Sequence, residues 1–82
     1  MNEKEALANI RQKIDDIDLK IQQLLNDRAA MAQEVARIKM DSGEQADFYR
    51  PEREAMVLRT VMDRNQGPLA SAEVARLFRE IM

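Results

Sequence analysis

The sequence predicts an all-α protein with three helices per chain, the first of them so long that it needs a second copy of the chain against it. Three observations carry the prediction. Apolar residues recur in one row from Leu7 to Ile38, in alternating steps of three and four, with a single break at Arg28. That is the heptad spacing of a packed helix face. The only glycines and prolines, Gly43, Pro51, Gly67 and Pro68, fall in two places and cut the chain into three segments. No stretch alternates apolar and polar residues with the period of a half-buried strand.

The first helix is expected over residues 3–41. Asn2 is placed to cap it, with Glu5 three residues on as in a capping box. Its apolar row is Leu7, Ile10, Ile14, Ile17, Ile21, Leu24, Met31, Val35 and Ile38. At the helical rise such a rod is roughly 55–60 Å long. A globule of this chain length is only ~25–30 Å across, so the rest of the chain cannot cover the row. A homodimer is therefore expected. Asp41-Ser42-Gly43 ends the helix, with Gly43 suited to a left-handed cap, and Glu44 to Tyr49 reads as a loop. The second helix, 51–65, opens on Pro51, a favourable first-turn residue, and turns Val57, Leu58, Val61 and Met62 inward, flanked by Ala55. Ser71 is placed to cap the third helix, 71–82, whose inner face is Val74, Leu77, Phe78 and Ile81. No C-terminal cap precedes Met82, so this helix is expected to be truncated at its C-terminal end.

Composition narrows the function. With 82 residues, no Cys and no His, neither a disulfide nor a structural metal site is expected to support a small core. Oligomerisation remains as the common route to stability. A net charge of −2 gives no basic footprint for nucleic acid. Charged residues make up 34% of the chain and are mixed in sign, as on solvated helix surfaces. No apolar run approaches the ~18–20 residues of a membrane span, and Met1 to Leu7 lack the apolar core of a signal peptide. A cytoplasmic protein is expected. The absence of His, Cys and a Gly-rich phosphate loop argues against a hydrolase, kinase or dehydrogenase. It leaves chemistry that needs only shape and positive charge, and no cofactor or metal is expected.

Several residues break the pattern. Arg28 stands in the apolar row of Leu7, Ile14, Ile21 and Val35. A cation there carries a desolvation penalty of several kcal/mol unless an anion meets it. It either fixes the register of a coiled coil or pairs with a carboxylate such as Asp27, or it forms a site for an anionic ligand. Lys39 follows by eleven residues, close to three whole turns, which places it on nearly the same side roughly 16 Å along the axis. Alone it reads equally as a partner of the helix dipole. Arg11 lies about 100° round from Arg28 and roughly 25 Å away. It is either a solvent-exposed residue or, in a two-fold dimer, a contributor to the other chain's pocket. Arg50, Arg53 and Glu54 cluster at the start of the second helix, where cations oppose the dipole unless an anion offsets them. The same run also reads as a solvated face.

These residues also resemble a family. Ile10-Arg11-Gln12-Lys13-Ile14-Asp15, Leu25-Asn26-Asp27-Arg28 and Glu34-Val35-Ala36-Arg37-Ile38-Lys39 stand in the order and spacing of the all-helical chorismate mutases. So do Phe48-Tyr49-Arg50-Pro51-Glu52-Arg53-Glu54-Ala55 and Val74-Ala75-Arg76-Leu77-Phe78-Arg79-Glu80-Ile81-Met82. The chain resembles the mutase domains of the bacterial P-proteins, the bifunctional chorismate mutase/prephenate dehydratases, over essentially its whole length. The resemblance implies an intertwined dimer with two equal sites that rearranges chorismate to prephenate, in the biosynthesis of phenylalanine and tyrosine. It implies carboxylate binding by Arg28 and by the partner's Arg11. Lys39 would contact the breaking ether oxygen and a carboxylate. The Arg53–Glu54 pair would complete the site, with Glu54 holding the substrate hydroxyl. Some relatives carry Asp where this chain has Arg50. The family also uses a Ser and a Gln late in its last helix, both beyond Met82 here, and that Gln shares the ether oxygen with the lysine. Two alternatives stand beside this reading: an isochorismate pyruvate lyase of the same fold, and a dimerisation module without catalysis.

Overall fold

The computed structural model describes residues 2–42 and 50–82, and every regular element among them is helical: α1 (Glu3–Asp41), α2 (Pro51–Arg64) and α3 (Ser71–Ile81). The chain divides into two units, 1–44 and 45–82.

Helix α1 forms the first unit. Its N-terminus is closed as the sequence predicts: the Asn2 side-chain oxygen accepts from the Glu5 backbone N–H at 2.8 Å. Such a cap contributes ~1 kcal/mol, and Glu3 and Glu5 in the first turn complement the helix dipole. At the other end the Ser42 backbone N–H donates to the Ile38 carbonyl at 3.0 Å. The Ser42 hydroxyl donates to the Lys39 carbonyl at 2.8 Å. The expected Gly43 cap and the loop from Glu44 to Tyr49 lie outside the described residues. The helix is 39 residues long and buries none of them. Its row residues, from Leu7 at 43% exposed to Ile38 at 59%, stay open along the whole length. In proteins an amphipathic helix draws most of its stability from packing its apolar face, and the row of α1 is left open.

Helices α2 and α3 pack on each other to form the second unit. Pro51 starts α2 at a position where a missing N–H is harmless. The helix stops at Arg64, one residue short of the expected bound, within the usual variation of helix ends. Val61 and Ala75, at 3% and 1% exposed, are the centre of the contact, and Val57, Leu58, Val74, Phe78 and Ile81 are half-buried around them. Met62 and Leu77, expected on the inner faces, are exposed. The small Ala75 lets the two backbones approach, and bulkier residues beside it are pushed to the rim.

Ser71 does not cap α3 as expected. It is the first helical residue, and Ala70, with no side-chain oxygen, holds the cap position. The Ser71 hydroxyl is engaged elsewhere: it donates to the Met62 carbonyl at 3.4 Å and accepts from the Asn65 amide at 3.3 Å. The same amide donates to the Leu69 carbonyl at 2.8 Å. Ser71 and Asn65 thus tie the end of α2 to the start of α3. The turn between them passes through Gly67 at φ 76° and a cis Gly67–Pro68 peptide. Only glycine adopts that positive φ without a Cβ penalty. Gly67→Ala is expected to destabilise the protein by ~1 kcal/mol, read as a lower urea midpoint at fixed protein concentration. In the first two turns of α3, two nitrogens of Arg76 donate to one Glu73 oxygen at 3.2 and 2.9 Å. These bonds, and the charge of Arg76, hold the Glu73 carboxyl below its ordinary range.

Candidate functional site

Helix periodicity sets the surroundings of each cation on α1. One turn either side of Arg28 stand Leu24, Leu25, Met31 and Ala32, none of them acidic. Asp27 is adjacent in sequence and diverges by about 100°. Lys39 has Val35 and Ala36 on the turn before it. By contrast Arg37 has an acid on each side and uses both: it meets Glu34 at 2.7 Å and Asp41 at 3.2 Å. Among the described residues no ion pair includes Arg11, Arg28, Lys39, Arg53 or Glu54. An Arg28–Asp27 pair, one of the open sequence readings, is therefore not formed.

The structure keeps Arg28 and Lys39 on one continuous helix, so their common side and roughly 16 Å separation along the axis hold. Lys39 is half-buried, and Arg28 is exposed within the apolar row. Arg11 is exposed near the opposite end of α1, too far from Arg28 and Lys39 of its own helix to share their stretch. Arg53 and Glu54 are exposed in the first turn of α2, and Arg50 occupies its cap position with no side-chain capping bond. Phe48 and Tyr49 lie outside the described residues. Among the described residues no cluster of His, Cys, Asp or Glu is arranged to hold a metal. No helix of theirs is long and apolar enough to cross a membrane. The apolar row singled out Arg28. It gives no reason to single out Arg37 or Ser42, whose signals are the acids three before and four after Arg37 and the hydroxyl just past the helix end.

Among the described residues the arrangement is a row of hydrocarbon broken by one cation, Arg28, and followed by a second, Lys39, neither with an ion-pair partner. It suits a small dianion held between helices. The sequence matches the family model described as chorismate mutase type II over residues 10–82. The chain belongs to that family. The bifunctional chorismate mutase/prephenate dehydratases of Stutzerimonas stutzeri and Pseudomonas aeruginosa are 53% and 51% identical over 85 residues, covering 100% of this chain. The chain spans 23% of the length of each. A chorismate mutase from Thermus thermophilus has the same fold at a TM-score of 0.86 and 29% identity, over 93% of this chain and 92% of that one. The fold of this type II chain is thus similar to that of a solved chorismate mutase, and the cations above are features of a member of the family.

Proposed function

We propose that the chain catalyses the rearrangement of chorismate to prephenate, as a homodimer whose site draws on both copies. The observation that carries the reading is a pair of cations without an ion-pair partner among the described residues, Arg28 in the open apolar row of α1 and Lys39 just past the end of that row, in a chorismate mutase type II chain. The reaction is unimolecular. The ether C–O bond breaks as a new C–C bond forms, with no nucleophile and no proton relay. A catalyst has two tasks: to hold the dicarboxylate in the folded reactive conformer, and to stabilise negative charge at the ether oxygen as its bond breaks.

Arg28 and the partner's Arg11 carry out the first task through the two carboxylates. Planar guanidinium forks match carboxylates well, and correct orientation is worth up to ~7–11 kcal/mol of a barrier. Lys39 carries out the second, because an ammonium fixed where charge develops lowers the barrier selectively in the transition state. Arg53 completes the cationic wall, and Glu54 accepts the substrate hydroxyl. A second copy of α1 covers the apolar row and takes Arg28 out of water. The desolvation penalty of several kcal/mol is then offset only when the dianion is bound.

The test is direct. Purified protein mixed with chorismate is expected to deplete it and form prephenate in equal amount, followed by absorbance and proton NMR. The same protein mixed with isochorismate is expected to give no salicylate. Salicylate without prephenate would transfer the assignment to a pyruvate lyase. A folded dimer inert toward both would reduce the chain to a dimerisation module.

A further inference from the structure

We propose that Arg37 is a positioning residue for Lys39, acting by clamping the last turns of α1; the catalytic part of this rests on the function proposed above. Lys39 stands two residues before the end of the helix, where fraying concentrates. A side chain that must meet one atom of a reacting substrate tolerates a displacement of only ~0.5 Å. Something must therefore hold this turn.

Arg37 is built to do so. Its Nε and Nη2 donate to one oxygen of Glu34 at 3.0 and 2.7 Å, and its Nη1 donates to Asp41 at 3.2 Å. The guanidinium thus spans from the turn before Lys39 to the final helical residue. Asp41 alone is unfavourable there, since a carboxylate opposes the negative end of the helix dipole. Arg37 neutralises it. Arg37 lies about 200° round from Lys39, so it braces the backbone from the far side and adds no charge to the ligand side. The Ser42 hydroxyl completes the clamp by donating to the Lys39 carbonyl itself at 2.8 Å. Exposed ion pairs contribute little to global stability. A fraying helix end is close to balance, so a small bias shifts its population severalfold.

The experiment uses the dimer with Arg37→Gln, Arg37→Lys and Ser42→Ala, each also combined with Lys39→Ala. Arg37→Gln is expected to lower kcat about fivefold with KM and dimer mass unchanged, and Arg37→Lys to recover most of the loss. Ser42→Ala is expected to act in the same direction. Amide exchange at residues 38–42 is expected to speed up severalfold in Arg37→Gln. In the Lys39→Ala background, Arg37→Gln is expected to change kcat no further, because its effect travels through Lys39. Equal losses in both backgrounds, or unaltered exchange at 38–42, would overturn the proposal. If the unmodified protein turns over no chorismate, the functional reading fails while the exchange measurement still decides whether Arg37 clamps the helix.

Discussion

Lys39→Ala is expected to lower turnover of chorismate by about 10²–10³-fold, the loss typical when one preorganised electrostatic donor is removed from a transition state. KM is expected to change much less, because the charge that Lys39 meets at the ether oxygen develops only as the bond breaks. Arg28→Ala is expected to behave differently. It removes a charge-assisted contact to a carboxylate present in both ground and transition states, worth ~1.5–3 kcal/mol. That contact also orients the substrate in its folded conformer, so its loss is expected to lower turnover as well as to raise KM. Both variants are expected to remain dimeric, and Arg28→Leu is expected to strengthen the dimer while abolishing activity, since it extends the apolar row without a desolvation penalty. Steady-state kinetics with sedimentation on the same samples separates these outcomes. Near-normal turnover in both Lys39→Ala and Arg28→Ala would end the catalytic assignment.

The second large effect is structural. Ile21→Asp, at the middle of the open row of α1, is expected to dissociate the dimer and to lose activity and much of the helical signal together. Ile21 is 49% exposed in its own chain. In a monomer the substitution is therefore mild, with an effect within about 0.5 kcal/mol for a surface site. In a dimer it buries an unpaired carboxylate, a penalty of several kcal/mol. Freed from its partner, the apolar row of α1 is uncovered and the helix is expected to fray along its length. Gln23→Asp, two residues on and off the row, is the control and is expected to leave mass, helicity and rate unaltered. Circular dichroism with sedimentation decides it, and a variant of Ile21 that stays dimeric and active would remove the row from the interface.

Much of this was legible in the sequence because helices write themselves locally. The heptad row and the Asn2–Glu5 cap place both the length of α1 and its start, and Pro51 places the start of α2. What periodicity misses is small or multiply bonded. Ala75 is the most buried of the described residues, yet a methyl group carries too little apolar weight to mark a face. Ser71 has the composition of a cap, but its hydroxyl is shared between Asn65 and Met62, which only the folded turn brings near. At the site, the departure of Arg28 from its row and its eleven-residue spacing to Lys39 are readable, because both lie on one helix. Arg53 and Glu54 are different: no spacing rule runs across residues 43–49, so their membership of the site rests on the family resemblance. Arg11 likewise becomes meaningful only when a second copy is considered.

A mixing experiment addresses that second copy most directly. Arg11→Ala and Arg28→Ala chains, each nearly inactive alone, are unfolded together and refolded in equal amounts. If one subunit lends its Arg11 to the Arg28 of the other, each mixed dimer contains one site with both defects and one intact site. Activity then returns to about a quarter of that of the unmodified protein for random two-fold pairing. If the mixture is no more active than its two components measured separately, no site is shared between subunits and the account is wrong.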